Sequence, residues 1–253
     1  MVGQGLANII GNAITGGGPA VGGGGAAFTN LYSIGFDGTD DYAAGTTPFT
    51  TWNGLTNMSF NFWFKLHTAT GNKMLMSQYG TGGNNFYVYS VGNSRIDIYL
   101  DGNVRYRHTA TTFAADTWYN LGFSYDGSLS TMDRVSLYLN GGSRLSGSFG
   151  GPATNLGTYT SDFQLSGRDG ANFEFFGNLD EVSIWSTTLS EADHAAIYNS
   201  GTPIDLSTSG ISGLENWWRC GDSDGGTGST LTDAAGSYTI TLYNDTTFET
   251  DVP

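Results

Sequence analysis

Positive charge is scarce in this sequence: 9 lysines and arginines stand against 23 aspartates and glutamates, a formal net charge of −14. A chain so poor in basic residues cannot neutralise a phosphate backbone, which argues against nucleic acid as a partner. Cysteine is nearly missing too. Cys220 stands alone, so no intrachain disulfide can form and packing must hold the fold. The first Lys or Arg is Lys65, which leaves no basic region for a secretory signal at the N-terminus. No run approaches the ~18 apolar residues of a membrane span. Only 5 prolines are present, whereas glycine reaches 39 and aromatics 14%. That balance implies many tight turns around an aromatic core, and 253 residues suit one large β domain.

The dominant signal from Ile34 to Trp185 is alternation with a period of two. Phe60, Phe62, Phe64 and Leu66 alternate with Ser59, Asn61, Trp63 and Lys65, the pattern of a strand with one face in a core. Ile96, Ile98 and Leu100 repeat it, as do Tyr119, Leu121, Phe123 and Tyr125, and then Val135, Leu137 and Leu139. Asp101-Gly102, Asp126-Gly127 and Asn140-Gly141 are hairpin cues between such runs. The pattern predicts an all-β, two-sheet antiparallel jelly-roll sandwich. One short helix is expected in LSEADHAAIYNSG, with Ser190 and Asp193 forming a capping box and Gly201 supplying the left-handed residue at its end. Residues 1–30 differ from the rest. Leu6, Ile9, Ile10, Ala13 and Ile14 share one helical face ahead of a glycine tract, so this arm is either a frayed tail or an anchor that docks on a neighbouring subunit. An assembly of identical chains would hide the same face.

In order along residues 31–201, SIGFDGTDDYA, MSFNFWFKL, TWYNLGFSYDG with VSLYLNG, and FQLSGRDG with GNLDEVSIWSTTLSEADHAAIYNSG resemble the laminin-G-like members of the concanavalin A-like lectin and glucanase superfamily. The resemblance implies two antiparallel sheets and a carbohydrate-binding or protein-binding module. Residues 211–253 look like a strand and acidic loop that many relatives carry before FDGxDDY, so they are expected to close the same sheet, and 31–253 to form one sandwich. Together with the acidic composition, this arrangement resembles structural proteins of tailed bacteriophages. It implies a virion surface component, as capsid decoration, tail or fibre protein, anchored through residues 1–30 to neighbouring virion subunits, with host-surface glycans as ligands. The other reading is a secreted or displayed carbohydrate-binding module.

Enzymatic chemistry finds little support in the residues. Glucanases of this superfamily draw paired carboxylates from an E-x-D-x-x-E strand. Glu174, Glu181, Glu191, Glu215 and Glu249 are the only glutamates and none has that spacing. On a regular strand, Asp180 and Glu181 point to opposite faces. His67, His108 and His194 are widely spaced and read as ordinary surface or loop residues, so no catalytic residue is assigned. Calcium, which takes several hard oxygen ligands, is the better inorganic candidate. Asp37, Asp40 and Asp41 cluster in FDGTDDY, and Asp180 shares an inward face with Val182 and Ile184. The resemblance places Asp37 and Asp180 where relatives hold a structural cation, so Asp37, Asp41 and Asp180 form the candidate site. The same aspartates could instead cap turns. Sugar recognition would use exposed aromatics, for which Trp63, Tyr87 and Tyr89, opposite the Phe60 and Phe86 faces, and the loop residue Tyr79 are the candidates; each could equally be core.

Overall fold

The computed structural model describes residues 28–253 apart from 69, 81–83, 102–103, 110, 132, 152–153 and 169–172. The expected anchor residues Leu6, Ile9, Ile10, Ala13 and Ile14 lie outside the described residues. In chain order the strands are β1 Ser33–Asp37, β2 Tyr42–Gly45, β3 Asn57–Leu66, β4 Asn72–Gln78, β5 Phe86–Val91, β6 Ile96–Leu100, β7 Val104–His108 and β8 Trp118–Asp126. They continue with β9 Val135–Leu139, β10 Ser148–Phe149, β11 Gln164–Leu165, β12 Phe176–Trp185, β13 Leu214–Trp218, β14 Thr230–Leu231, β15 Ile240–Tyr243 and β16 Thr247–Glu249. Helix α1, Glu191–Tyr198, lies between β12 and β13.

Two antiparallel sheets stack into a sandwich. One has the order β16-β1-β12-β3-β8-β9, with β13 pairing residues 182–185 of β12, beyond residues 176–179, which β1 pairs. The other runs β10-β7-β6-β5-β4-β11-β2-β15-β14. Residues 211–253 were expected to close the same sheet, and their strands divide between both: β13 and β16 join the first, β14 and β15 the second. Period-two side chains fill the space between. Phe60, Phe62 and Phe64 of β3 meet Leu121 and Phe123 of β8 and, across the sandwich, Phe86. Burying rings of this size on both inner faces is the main source of stability, at roughly 25 cal/mol per Å² of apolar surface.

The turn cues divide in their use. Asp101, at φ 52, opens the short connection between the paired strands β6 and β7. Asp126-Gly127 begins the longer connection, residues 127–134, that returns to β9. Asn140 and Gly141, both at positive φ, turn the chain out of β9 toward β10 in the other sheet. Local geometry was legible, while its topological use depends on contacts far along the chain.

Helix α1 has the capping box of Ser190 and Asp193. Its left-handed C-cap is Asn199, at φ 44, and not Gly201. Asn tolerates that conformation because its short polar side chain bonds locally, here Nδ2 to the Thr202 carbonyl. The helix buries His194 and Ile197 against the outer face of the first sheet. His194 lies under Tyr138, with Nε2 2.9 Å from Ser124 Oγ and Nδ1 3.5 Å from Asn61 Nδ2. Burial holds its pKa down to about 4. His108 is also buried, bonding the Ser146 carbonyl and Thr111, so the expected surface role fails for both residues. The Ser124–His194 pair is sealed beneath α1 and locks the helix onto the sheet.

Candidate functional site

Helix α1 covers part of the outer face of the first sheet, beside a cleft of about 340 Å³ that holds Lys65, His67, Asn178, Glu249 and Asp251; the outer face of the nine-stranded sheet is where aromatic side chains cluster. Alternation assigns that face. Phe86, Val88, Ile96 and Ile98 point into the core, which sends Tyr87, Tyr89 and Tyr99 outward. Tyr87 and Tyr99 are register partners whose rings stack 4.3 Å apart at 23°. Tyr89 lies 6.0 Å from Tyr87 and 5.9 Å from Tyr99. The buried Asp97 fixes this cluster: it accepts from the Tyr89 hydroxyl at 3.2 Å and from Arg107 Nε and Nη2 at 3.0 and 3.2 Å. Arg95 adds a contact at 3.3 Å. An ionised carboxylate is stable inside the protein only when opposite charge and hydrogen bonds compensate it, as these do.

Arg168 lies at the middle of the face. Its guanidinium sits 4.4 Å over the Tyr79 ring, 5.0 Å from Phe173 and 5.9 Å from Tyr87. It borders two clefts. The smaller, about 160 Å³, is lined by Asn72, Met74, Tyr87, Tyr89, Tyr99, Arg168 and Phe173. The larger, about 560 Å³, is lined by Asp40, Tyr42, Tyr79, Asp162, Gln164, Gly167, Arg168, Glu174 and Asn244. Tyr42 is backed by its register partner Tyr243, the two rings stacked 4.6 Å apart at 8°. Half-buried rings rimmed by amides and carboxylates suit a ligand that offers apolar faces and polar edges together.

The sequence candidates separate accordingly. Tyr79, Tyr87 and Tyr89 come together on this face. Trp63 does not: it points outward from the other sheet, where Tyr198 of α1 stacks on it at 5.4 Å and leaves it buried. Tyr99, Tyr42, Tyr243 and Arg168 were missed, although IDIYL and YAAG carried the alternation that turns the first two outward.

The candidate calcium set is split. Asp37, Asp40 and Asp41 bring carboxylate oxygens within 4.8 Å of one another. Asp41 is buried and accepts from the Asp37 and Asp245 N–H groups at 2.9 and 3.0 Å, and Asp37 accepts from Thr39 N at 2.7 Å. These bonds are the turn-capping role. The Thr39 N–H holds the Asp37 carboxyl below its usual range, whereas burial pushes Asp41 up. Asp180 lies apart. Asp37 pairs with Phe176, four residues before Asp180 on β12, a rise of about 13 Å along the strand.

The expected inward direction of Asp180 also fails, because β12 bulges. Asp180 pairs with Trp63 and Ser183 with Asn61, so two residues of β12 oppose Phe62 alone, and Glu181 takes φ 48. The bulge breaks the alternation that would put Asp180 and Glu181 on opposite faces, and both carboxylates are buried. Asp180 accepts from Asn30 Nδ2 and Glu181 N at 2.9 and 2.8 Å. Glu181 accepts from Trp217 Nε1 at 2.5 Å and Arg219 Nε at 3.4 Å. The nearby Asp222 receives the Leu31 and Tyr32 N–H groups. Phe28 stacks on Trp217 at 6.3 Å and lies 4.4 Å under the Arg219 guanidinium. The cluster therefore clamps residues 28–32 onto the sandwich.

Comparison with known proteins follows the fold. Residues 37–193 match a laminin G family model described as the concanavalin A-like lectin/glucanases superfamily. A Bacteroides ovatus protein assigned as carbohydrate-binding is similar in structure, with a TM-score of 0.63 and 19% identity over 89% of this chain. The match spans 62% of that protein's length. A heptameric SAP-like pentraxin from Limulus polyphemus gives a TM-score of 0.57 at 10% identity, covering 86% of this chain and 96% of the pentraxin. No curated protein sequence matches. At these identities the structural likenesses establish the fold.

Proposed function

The chain belongs to the concanavalin A-like lectin/glucanase superfamily, and from that membership we propose that it is a non-enzymatic adhesion protein binding carbohydrate on the outer face of its nine-stranded sheet. The observation that carries the reading is the Tyr87–Tyr99 stack, with Tyr89 beside it and Arg168 bordering the adjoining clefts. Ring faces pack against the C–H faces of a pyranose, while the surrounding Asn72, Gln164 and Asn244 can bond hydroxyls. A binding role without hydrolysis is supported by the placement of Asp180 and Glu181. Burial raises both toward the range of a general acid, yet they lie under residues 28–32 and line neither cleft.

A glycan array, run with calcium and with chelator, tests the reading. Binding is expected, and Tyr87→Ala and Tyr99→Ala should each weaken it roughly tenfold, the scale of one lost ring contact. Wild-type affinity in both variants would defeat the proposal. So would release of reducing sugar from the bound glycan. Tightening by calcium would assign Asp37, Asp40 and Asp41 as ligands; binding indifferent to chelator leaves them as turn caps.

We also propose that the sandwich is displayed on a virion surface, as capsid decoration, tail or fibre protein, with the stretch before residue 28 as its anchor. The clamp on Phe28, Asn30, Leu31 and Tyr32 supports this, because a pull on the arm would be shared by Asp180 of β12, Trp217 of β13 and Asp222 just after it. Deleting residues 1–27 should leave the melting temperature within a few degrees of the full chain and abolish incorporation into particles. Undiminished incorporation would remove the anchor role and favour a secreted or displayed module.

A further inference from the structure

We infer that the open face takes the interior of an extended, uncharged polysaccharide chain lying across the strands, and not a single terminal sugar; this rests on the carbohydrate reading above. The first ground is spacing. Tyr99 on β6 and Tyr42 on β2 are separated by β5, β4 and β11, which makes four strand spacings, about 19 Å. One pyranose cannot touch both. A chain of several can, passing over Gly167 and Arg168, which lie above the buried Ser77 in the cross-strand row Tyr99, Tyr87, Ser77 and Gln164.

The second ground is what lies between the two aromatic ends. Arg168 borders both clefts, so they meet at its side chain. Its guanidinium stacks on Tyr79, and a planar cation held this way offers a flat outer surface on which a sugar ring can lie. The ligand path therefore has three platforms in sequence, at Tyr87–Tyr99, at Tyr79–Arg168 and at Tyr42–Tyr243.

The third ground is charge. Asp40, Asp162 and Glu174 face the larger cleft against Arg168 alone among its described lining residues, on a protein of net charge −14. At that end of the path the field disfavours uronate and sialylated chains and leaves neutral ones unaffected, while Arg95 and Arg107 at the other end are engaged by Asp97.

The experiment measures affinity by calorimetry for soluble neutral polysaccharides, for the di-, tetra- and hexasaccharides of whichever one binds, and for polygalacturonate. Affinity should rise at least tenfold from di- to hexasaccharide. Tyr42→Ala should weaken the hexasaccharide roughly tenfold and leave the disaccharide unchanged, while Tyr99→Ala weakens both. Tyr42→Phe, which keeps the ring, should bind like wild type, separating lost stacking from a disturbed fold. Affinity independent of length, indifference to Tyr42→Ala, or preference for polygalacturonate would overturn this inference while leaving the carbohydrate reading intact. Failure to bind any glycan would bring down both.

Discussion

Trp52→Ala is expected to cost about 5 kcal/mol of folding stability and to lower the melting temperature by about 15 °C. Two losses combine. Trp52 is 1% exposed and its ring packs against Phe49, Phe86, Tyr159 and Phe163, so truncation leaves a large cavity, worth roughly 3–5 kcal/mol. Its indole N–H also donates at 2.6 Å to Gln78 Oε1, an acceptor buried in the core, and an orphaned buried acceptor costs about 1–3 kcal/mol more. Trp52→Phe separates the two, since it keeps much of the volume and removes only the donor; a loss of about 2 kcal/mol is expected there. Urea denaturation of the three proteins measures both steps. Equal stabilities for Trp52→Phe and wild type would show that the Gln78 bond contributes nothing. Gln78 also donates to the Phe49 and Ser161 carbonyls at 2.5 and 2.7 Å, which ties the loops before β3 and β11 to the end of β4. Tyr79 follows it directly, so the same buried amide holds the start of the segment that carries the middle platform of the face.

What could be read from the residues was local. The period-two runs located β3, β6, β8 and β9, and Ser190 with Asp193 located the start of α1. Alternation says which side chains share a face, but not what covers that face. Trp63 was correctly set opposite Phe60, and the helix that buries it comes more than a hundred residues later. Tyr87 and Tyr89 have the same pattern on a sheet with no helix over it among the described residues, and they stay half exposed. Tyr42 and Tyr243 stack only because β15 returns to β2 from the far end of the chain. No spacing rule anticipates that. The bulge at Glu181 is the sharpest case, because one extra residue turns Asp180 away from the face it was counted onto while Val182 and Ile184 stay in the core as expected. A non-glycine residue at positive φ inside a strand leaves no mark on composition or periodicity.

Ionisation of Glu181 as the pH rises from about 4.5 to about 7 is expected to destabilise the fold by a few kcal/mol, against the usual direction for a carboxylate, while the buried His194, held down to about 4, works the other way between about 4 and 6.5. Burial pushes Glu181 from 4.5 up to about 7, the Arg219 guanidinium opposing it, and burial together with the neighbouring Glu181 raises Asp180 well above its ordinary value. In that window the folded protein holds a proton on Glu181 that the unfolded chain has released. The native state then binds more protons than the unfolded one, so each step up in pH favours unfolding; the stabilisation is complete below 4.5 and gone above about 7. Asp37 and Asp251 act the other way at more acid pH. Hydrogen bonds from Thr39 N–H and Lys65 hold them low, and their contribution disappears as they protonate. Glu181→Gln cannot ionise. It should match or fall slightly below wild type at pH 5, where Glu181 is already neutral, and exceed it at pH 8, removing the Glu181 share of the slope between. Urea midpoints of the two proteins at the two pH values decide the matter: a stability difference between Glu181→Gln and wild type that does not change from pH 5 to 8 would mean that Glu181 does not titrate in this window. The same ionisation would leave Glu181 and Asp222 sharing the Arg219 guanidinium with the buried Asp180 beside them, so the clamp on residues 28–32 weakens as the pH rises through about 7.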